Sequence, residues 1–325
     1  MWLVKSSSDL ILTPTAIALG NFDGIHLGHQ QVISSIWTKS SSSLVQKSRE
    51  QDPLLHSTVV TFDPHPREFF SGQKTQCLTP LPEKVKLLEQ IGIKQLVLLP
   101  FDRELAALSP QQFVEQILVQ KLQAARICVG EDFRFGHQRA GGASELEALA
   151  SPFGIEVIIT GLQTCNSEEL RISSSRIRQA LADGNIEAAK GMLGRPYSLT
   201  GTIIKGQQLG RKIGFPTANL DLPSHKLLPR YGVYCVRVEI EDDLTQDNPK
   251  TSFNGVMNIG YRPTVQGEGP TVEVHLLDWS GDLYGKSLTV SLEQFLRPET
   301  KFPSLDALKA QITEDCQLAR KILTG

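Results

Sequence analysis

Ala16-Ile-Ala-Leu-Gly-Asn-Phe-Asp-Gly-Ile-His-Leu-Gly-His29 runs from an apolar, strand-like segment through three glycines, an aspartate and two histidines into a helix. Ile17 to Leu19 suits a buried strand, and Gly20 and Gly24 permit close approach of backbone. In the helix that follows, Val32, Ile33, Ile36 and Trp37 are expected to share one face. Free N–H groups at that helix start favour an anion. His26 and His29, three residues apart, project from one side of the first turn. The stretch therefore reads as a phosphate site on an α/β sheet, with two imidazoles able to stabilise charge on phosphate oxygens. Its spacing is neither the dinucleotide fingerprint nor a Walker loop. His-x-x-His is also a metal-ligand spacing, but no cysteine cluster or HExxH helix accompanies it.

The same rhythm continues outward from this stretch. Thr58-Val-Val-Thr-Phe62 is a β-branched strand that ends in Asp63-Pro-His-Pro66, where two prolines hold His65 at a strand's carboxyl end. Ligands of open α/β sheets bind outside such ends. Pro82 opens a helix with Val85, Leu88 and Ile91 on one face. Gln95 to Leu99 is a strand, and Ser109-Pro110 caps a helix carrying Phe113, Ile117 and Leu122. Strands at Arg126 to Gly130 and Ile155 to Ile159 bring the count to at least five, the pattern of a doubly wound parallel sheet. Between those last two, Asp132, Phe133, Arg134 and Phe135 place flat rings beside a charged pair, which suits a heteroaromatic ligand. Arg171-Ile-Ser-Ser-Ser-Arg-Ile-Arg178 then gathers hydroxyls, helix-start N–H groups and guanidinium forks, all of which favour phosphate.

After the helix Ile186 to Leu193, Gly191-Met-Leu-Gly-Arg-Pro196 breaks the rhythm, and a division into residues 1–193 and 194–325 is expected. Short β-rich runs at Tyr197 to Lys205, Gly232 to Ile240, Gly255 to Ile259, Thr271 to Leu277 and Ser287 to Phe295 predict a small antiparallel barrel. A helix with Leu305, Leu308, Ile312, Leu318 and Ile322 closes the chain. The loop Lys205 to Asn219, with Gly206, Arg211 and Lys212, is suited to wrapping a polyphosphate. Thr217 and Asn219, two apart in an extended stretch, offer hard oxygens to Mg2+. In Val272-Glu-Val-His-Leu276, alternation turns Glu273 and His275 away from the core face, and a carboxylate on a rigid strand can accept a hydroxyl proton.

Composition narrows the partners. The chain has 325 residues, 40% of them hydrophobic, enough for two cores. Its 33 Lys and Arg against 35 Asp and Glu leave a net charge of -2, so no nucleic-acid partner is expected. Cys77, Cys128, Cys165, Cys235 and Cys316 form no CxxC pair and fit thiols of a reducing compartment. No apolar run approaches the roughly 20 residues of a membrane span, nor the start of the chain a signal peptide, so a cytoplasmic location with no membrane contact is expected. Oligomeric state stays open. The serine-rich stretch 39–53 and the polar run 241–250 carry no identifiable chemistry.

Gly20 to Gly24 with His26-Leu-Gly-His29 resembles the signature of the HxGH nucleotidyltransferases, which implies a Rossmann-like domain transferring a nucleotidyl group with loss of pyrophosphate. Over nearly its whole length the chain resembles the bifunctional riboflavin kinase and FMN adenylyltransferase enzymes. That likeness rests on the motif just named together with Thr61 to Pro66, Val129 to Gly136, Ile172 to Arg178, Gly210 to Asn219, Val272 to Asp278 and Phe295-Leu-Arg-Pro-Glu299. It implies that the barrel phosphorylates riboflavin to FMN with ATP and that the first domain joins AMP to FMN, giving FAD. By the same likeness Gly20, Phe22, Asp23, Gly24, His26, His29, Ser174 and Arg178 would serve ATP and pyrophosphate in adenylyl transfer. Gly206, Arg211, Lys212, Thr217 and Asn219 would bind Mg-ATP for the kinase, and Glu273 would take the ribityl proton. His65, Asp132, Phe133 and Arg297 would lie near flavin. Ser175 stands where the family has threonine, and Gly142 where an acidic residue is common. Two rivals are an HxGH enzyme with another acceptor, which leaves the barrel motifs unexplained, and a non-catalytic flavin binder, which the retained chemical side chains argue against.

Overall fold

The structure is a computed structural model that describes residues 1–5, 9–37, 55–164, 171–206, 209–241, 252–264 and 267–324. The stretches 39–53 and 242–250 lie outside the described residues, as does Cys165. Two compact units are formed, Met1–Ser173 and Ser174–Gly325.

The first unit contains strands β1 (Trp2–Val4), β2 (Thr15–Leu19), β3 (His56–Asp63), β4 (Gln95–Pro100), β5 (Ala124–Gly130) and β6 (Glu156–Thr160). They pair in parallel in the order β1-β4-β3-β2-β5-β6. Helices α1 (Leu27–Ser34), α2 (Pro66–Ser71) and α3 (Leu81–Ile91) lie between the early strands. All of β2 is buried, and its alternation explains why. Ile17 and Leu19 join one apolar cluster with Val60, Val97, Val129, Phe113 and Leu118, whereas Ala16 and Ala18 join another with Ile33, Leu88 and Cys128. A strand covered on both faces reads as a continuous apolar run. From β2 the chain steps to β3 and β4 on one side, then returns to β5 and β6 on the other, so the glycine-rich turn after β2 sits at the switch point of the sheet.

Local departures from expectation have plain causes. α1 ends at Ser34 and tightens into a 3-10 turn over Ser35–Trp37, which rotates Trp37 outward to 47% exposure while Val32, Ile33 and Ile36 stay buried. Ser109 caps the next helix with a full capping box. Phe113–Lys121 beyond it winds wider than an α-helix, Leu122 N–H reaching Ile117 O.

The second unit opens with helices Ser174–Asp183 and Ile186–Leu193, the latter packing on the last barrel strand. Strands β7 (Ser198–Ile204), β8 (Ala218–Asp221), β9 (Gly232–Glu241), β10 (Ser252–Thr264), β11 (Gly267–Leu276) and β12 (Ser287–Arg297) close an antiparallel barrel in the order β8-β11-β10-β9-β12-β7. The barrel is filled by buried side chains including Val236, Val238, Met257, Val274, Val290 and Leu292. A C-terminal helix, Leu305–Thr324, lays Cys316, Ala319 and Leu323 against Val233, Cys235 and Val256. Leu318 on the same helix is 46% exposed. The contact line runs 312, 316, 319, 323, whose small residues Cys316 and Ala319 bring the helix close.

Candidate active sites

In the first unit the turn after β2 is held by many partners at once. Phe22 (φ 48) and Ile25 (φ 41) occupy the left-handed region that side chains disfavour, with Gly24 (φ 91) between the two. Asp23 ties the turn down, its carboxylate accepting from Leu78 N–H at 3.2 Å and Thr79 N–H at 3.1 Å. Gly24 N–H donates to Thr79 Oγ1 at 2.8 Å. The Asn21 carbonyl accepts from Thr61 Oγ1 at 3.1 Å and Lys84 Nζ at 3.0 Å. Phe22 is buried under the site, its ring edge-on to His29 at 5.2 Å. Phe22 and Asp23 thus shape the turn from behind.

His26 caps α1, its Nδ1 accepting from His29 N–H at 3.2 Å, so a neutral His26 carries its proton on Nε2. The two rings stack at 3.6 Å and 15°. His29 Nδ1 is buried with no hydrogen-bond partner among the described residues, and a ligand or water could satisfy it. Burial, then the neighbouring His26 and Lys84, hold His29 well below the usual histidine range; burial also lowers Lys84. Lys84, on α3, is a cation that sequence periodicity assigned only to a helix rhythm. His26 and His29 stand at the start of α1, whose N–H groups favour an anion.

His65 caps α2, Nδ1 accepting from Arg67 N–H at 3.1 Å. Beside it Phe62, Phe69 and Phe70 meet Phe101 edge-on at 5.6, 5.3 and 5.8 Å, and Phe70 is 73% exposed. This aromatic surface at the carboxyl ends of β3 and β4 was not singled out from sequence, although the Phe69-Phe70 pair beside Pro66 was a usable signal. Phe133 stacks on Phe135 at 5.8 Å, and Asp132 is ion-paired with Arg171. Ser174 begins the first helix of the second unit and Arg178 lies one turn on; the structure describes both within that unit.

The barrel site is more compact. Asn219 and Glu273 are direct cross-strand partners of β8 and β11, and Thr217 Oγ1 donates to Glu273 Oε2 at 3.4 Å. With Val272, Val274 and Leu276 buried, Glu273 and His275 are left on the outer face. Thr217, Asn219, Glu273, His275 and Arg297 all line one cavity of about 620 Å³, whose apolar walls include Ile213, Phe215, Val256, Phe302, Leu308 and Ile312. That size and mixture fits one planar heterocycle with a polar tail. Arg297 is fixed by Asp315 of the C-terminal helix, Nη2 at 2.8 Å and Nε at 3.0 Å, with the Phe302 ring 5.5 Å away. Gly206 lies against Asn219 so closely that a Cβ would fall 2.7 Å from the Asn219 Cγ. A Cβ on Gly210 would collide with the Phe215 carbonyl. Arg211 is exposed on the short helix Leu209–Lys212; the Lys212 side chain lies outside what is described.

Comparison with known proteins follows the division into sheet and barrel. The FAD synthetase family profile matches residues 9–176 and the riboflavin kinase profile residues 193–323. Bifunctional riboflavin kinase/FMN adenylyltransferase of Escherichia coli (strain K12) is 38% identical over 325 residues, covering 99% of this chain and 97% of the relative. The chain belongs to the bifunctional riboflavin kinase/FMN adenylyltransferase family. The enzyme so named in Bacillus subtilis (strain 168) is 34% identical, covering 94% of this chain and 91% of the relative. A solved structure described as a macrolide-efflux protein from Streptococcus pneumoniae covers 98% of each chain with a TM-score of 0.81 and 32% identity. No described helix of this chain is long and apolar enough to cross a membrane. The chain is a riboflavin kinase and FMN adenylyltransferase, with the kinase domain C-terminal and the FAD synthetase domain N-terminal.

Proposed function

We propose that riboflavin phosphorylation occurs in the 620 Å³ barrel cavity, with Glu273 as general base, and that adenylyl transfer occurs at the His26–His29 turn. The single observation supporting the first assignment is the convergence of Thr217, Asn219 and Glu273 on one cavity with an apolar end. Isoalloxazine occupies the apolar end near Arg297, and the ribityl hydroxyl faces Glu273. Glu273 accepts the hydroxyl proton as the oxygen attacks the γ-phosphorus of ATP. Thr217 and Asn219 hold Mg2+. Their hard oxygens suit it, and the absence of room for a Cβ at Gly206 supports a cradle closed around Asn219. The metal, when bound, neutralises charge on the transferring phosphate. Gly206, Arg211 and Lys212 serve the polyphosphate.

At the other site Gly20 and Gly24 give the phosphates access to backbone. His26 and His29 donate to their oxygens, Lys84 adds positive charge, and FMN phosphate attacks the α-phosphorus with pyrophosphate leaving. His65, Phe70, Phe133 and Asp132 form the flavin side. We assign adenylyl transfer to residues 1–193, the kinase to 194–325, and the enzyme to the cytoplasm. The test is incubation of purified protein with riboflavin, ATP and magnesium, followed by separation of the flavins. FMN and then FAD are expected; unchanged riboflavin would defeat the barrel assignment, and FMN without FAD the other.

A further inference from the structure

We propose that His275 is a positioning residue of the kinase site, holding the Pro216 carbonyl so that Thr217 presents its hydroxyl at a fixed point. This rests on the assignment of Thr217 to Mg-ATP given above. The register pairs Ala218 with Val274 and Asn219 with Glu273, so one further step sets Thr217 opposite His275. The paired residues of this strand end at Ala218, and Pro216 beyond it has no N–H with which to extend the ladder. The His275 side chain takes over. Its Nδ1 lies 2.8 Å from the Pro216 carbonyl oxygen, and its ring meets Phe215 edge-on at 5.7 Å. A carbonyl can only accept, so Nδ1 carries the proton in the neutral ring as well as in the cation.

The Thr217 segment is thereby clamped from two directions. His275 grips it from the strand side, and Gly210 closes over it from the loop side, where even a Cβ would lie 3.3 Å from Thr217 Oγ1. Released from His275, Pro216 and Thr217 would hang beyond the end of a four-residue strand, and the hydroxyl would lose its place relative to Glu273.

The test compares His275→Ala with His275→Asn, since the Asn amide nitrogen occupies the place of Nδ1 and keeps the donor. Riboflavin phosphorylation is measured with MgATP and riboflavin varied in turn, and FMN adenylylation is assayed on the same preparations. His275→Ala should raise KM for MgATP about tenfold. KM for riboflavin should move less than twofold and adenylylation should be unchanged, while His275→Asn recovers most of the loss. A general loosening of the barrel would raise both KM values and is excluded by that split. Wild-type KM for MgATP in His275→Ala, or an Asn variant as impaired as Ala, overturns the proposal. If His275→Ala fails to fold, His275→Gln takes its place: its donor reaches one methylene too far, so a Gln variant equal to Asn overturns the proposal equally. A wild-type protein that makes no FMN would instead defeat the underlying site assignment.

Discussion

His29 is partly buried, its Nδ1 enclosed, beside another imidazole and an ammonium, and that environment keeps it neutral where an exposed histidine would begin to charge. The sign of its effect on stability follows. In the unfolded chain His29 takes a proton near pH 6.5, whereas in the folded chain it does so only well below that value. Its contribution is therefore complete above about pH 6.5 and is lost as pH falls from there toward the folded value. The thermal midpoint of the first unit should decline across that range, and His29→Asn should flatten the decline; equal slopes in the two proteins would count against it. Bound triphosphate reverses the balance, because its charge favours the imidazolium. Gly206 offers a second residue-level prediction. A methyl placed 2.7 Å from the Asn219 Cγ must displace the amide. Gly206→Ala should lower kcat/KM for riboflavin phosphorylation at least about tenfold, with FMN adenylylation untouched. Neither Lys84 nor the Gly206–Asn219 approach was legible in the sequence. A lysine in an amphipathic helix shows what its ammonium touches only when packed, and a glycine shows its tightness only when the residue 13 positions away is folded over it.

Among the elements, the C-terminal helix matters through Asp315 as much as through its apolar face. Asp315 is buried and chelates Arg297 across from β12, with Gln311 Nε2 adding a bond at 3.2 Å. Removing the carboxylate leaves a half-enclosed guanidinium without its counter-charge. Asp315→Ala should cost the barrel about 3–5 kcal/mol in denaturant unfolding and raise KM for riboflavin; an unchanged unfolding midpoint would show the pair to be dispensable. The strands that carry the chemistry were legible because β-branched runs and turn residues bound them. β8 was read only as an extended stretch, since Pro216 precedes it and four residues give periodicity nothing to act on. β1 was missed for the same reason of length. In the closing helix the large apolar residues Leu305 and Leu318 stand out in the sequence yet are exposed, whereas the small Cys316 and Ala319 make the contact, which only packing reveals.

At the scale of the whole molecule, two ATP-using chemistries sit on separate scaffolds, one a parallel sheet and the other a closed barrel. Each should be removable alone. Asn219→Ala or Glu273→Ala should abolish FMN formation from riboflavin while supplied FMN still becomes FAD. His29→Ala should do the reverse, with FMN accumulating. Flavin separation after timed incubation reads both, and one substitution stopping both steps in folded protein would refute the assignment. The order of the two scaffolds was legible because a change from mixed to mostly β pattern after Leu193 marks it in the sequence. The helices Ser174–Asp183 and Ile186–Leu193 read as continuing the α/β rhythm, yet they pack with the second unit. Only tertiary contact reveals that.

Each unit also conceals a sulfhydryl. Burial pushes Cys128, inside the sheet, up to about 12 and Cys235, beneath the C-terminal helix, up to about 11. Neither is a thiolate at neutral pH, so alkylating reagents must wait for the surrounding structure to part. Mass-resolved trapping at these two positions would clock the breathing of sheet and barrel independently, with no foreign label introduced.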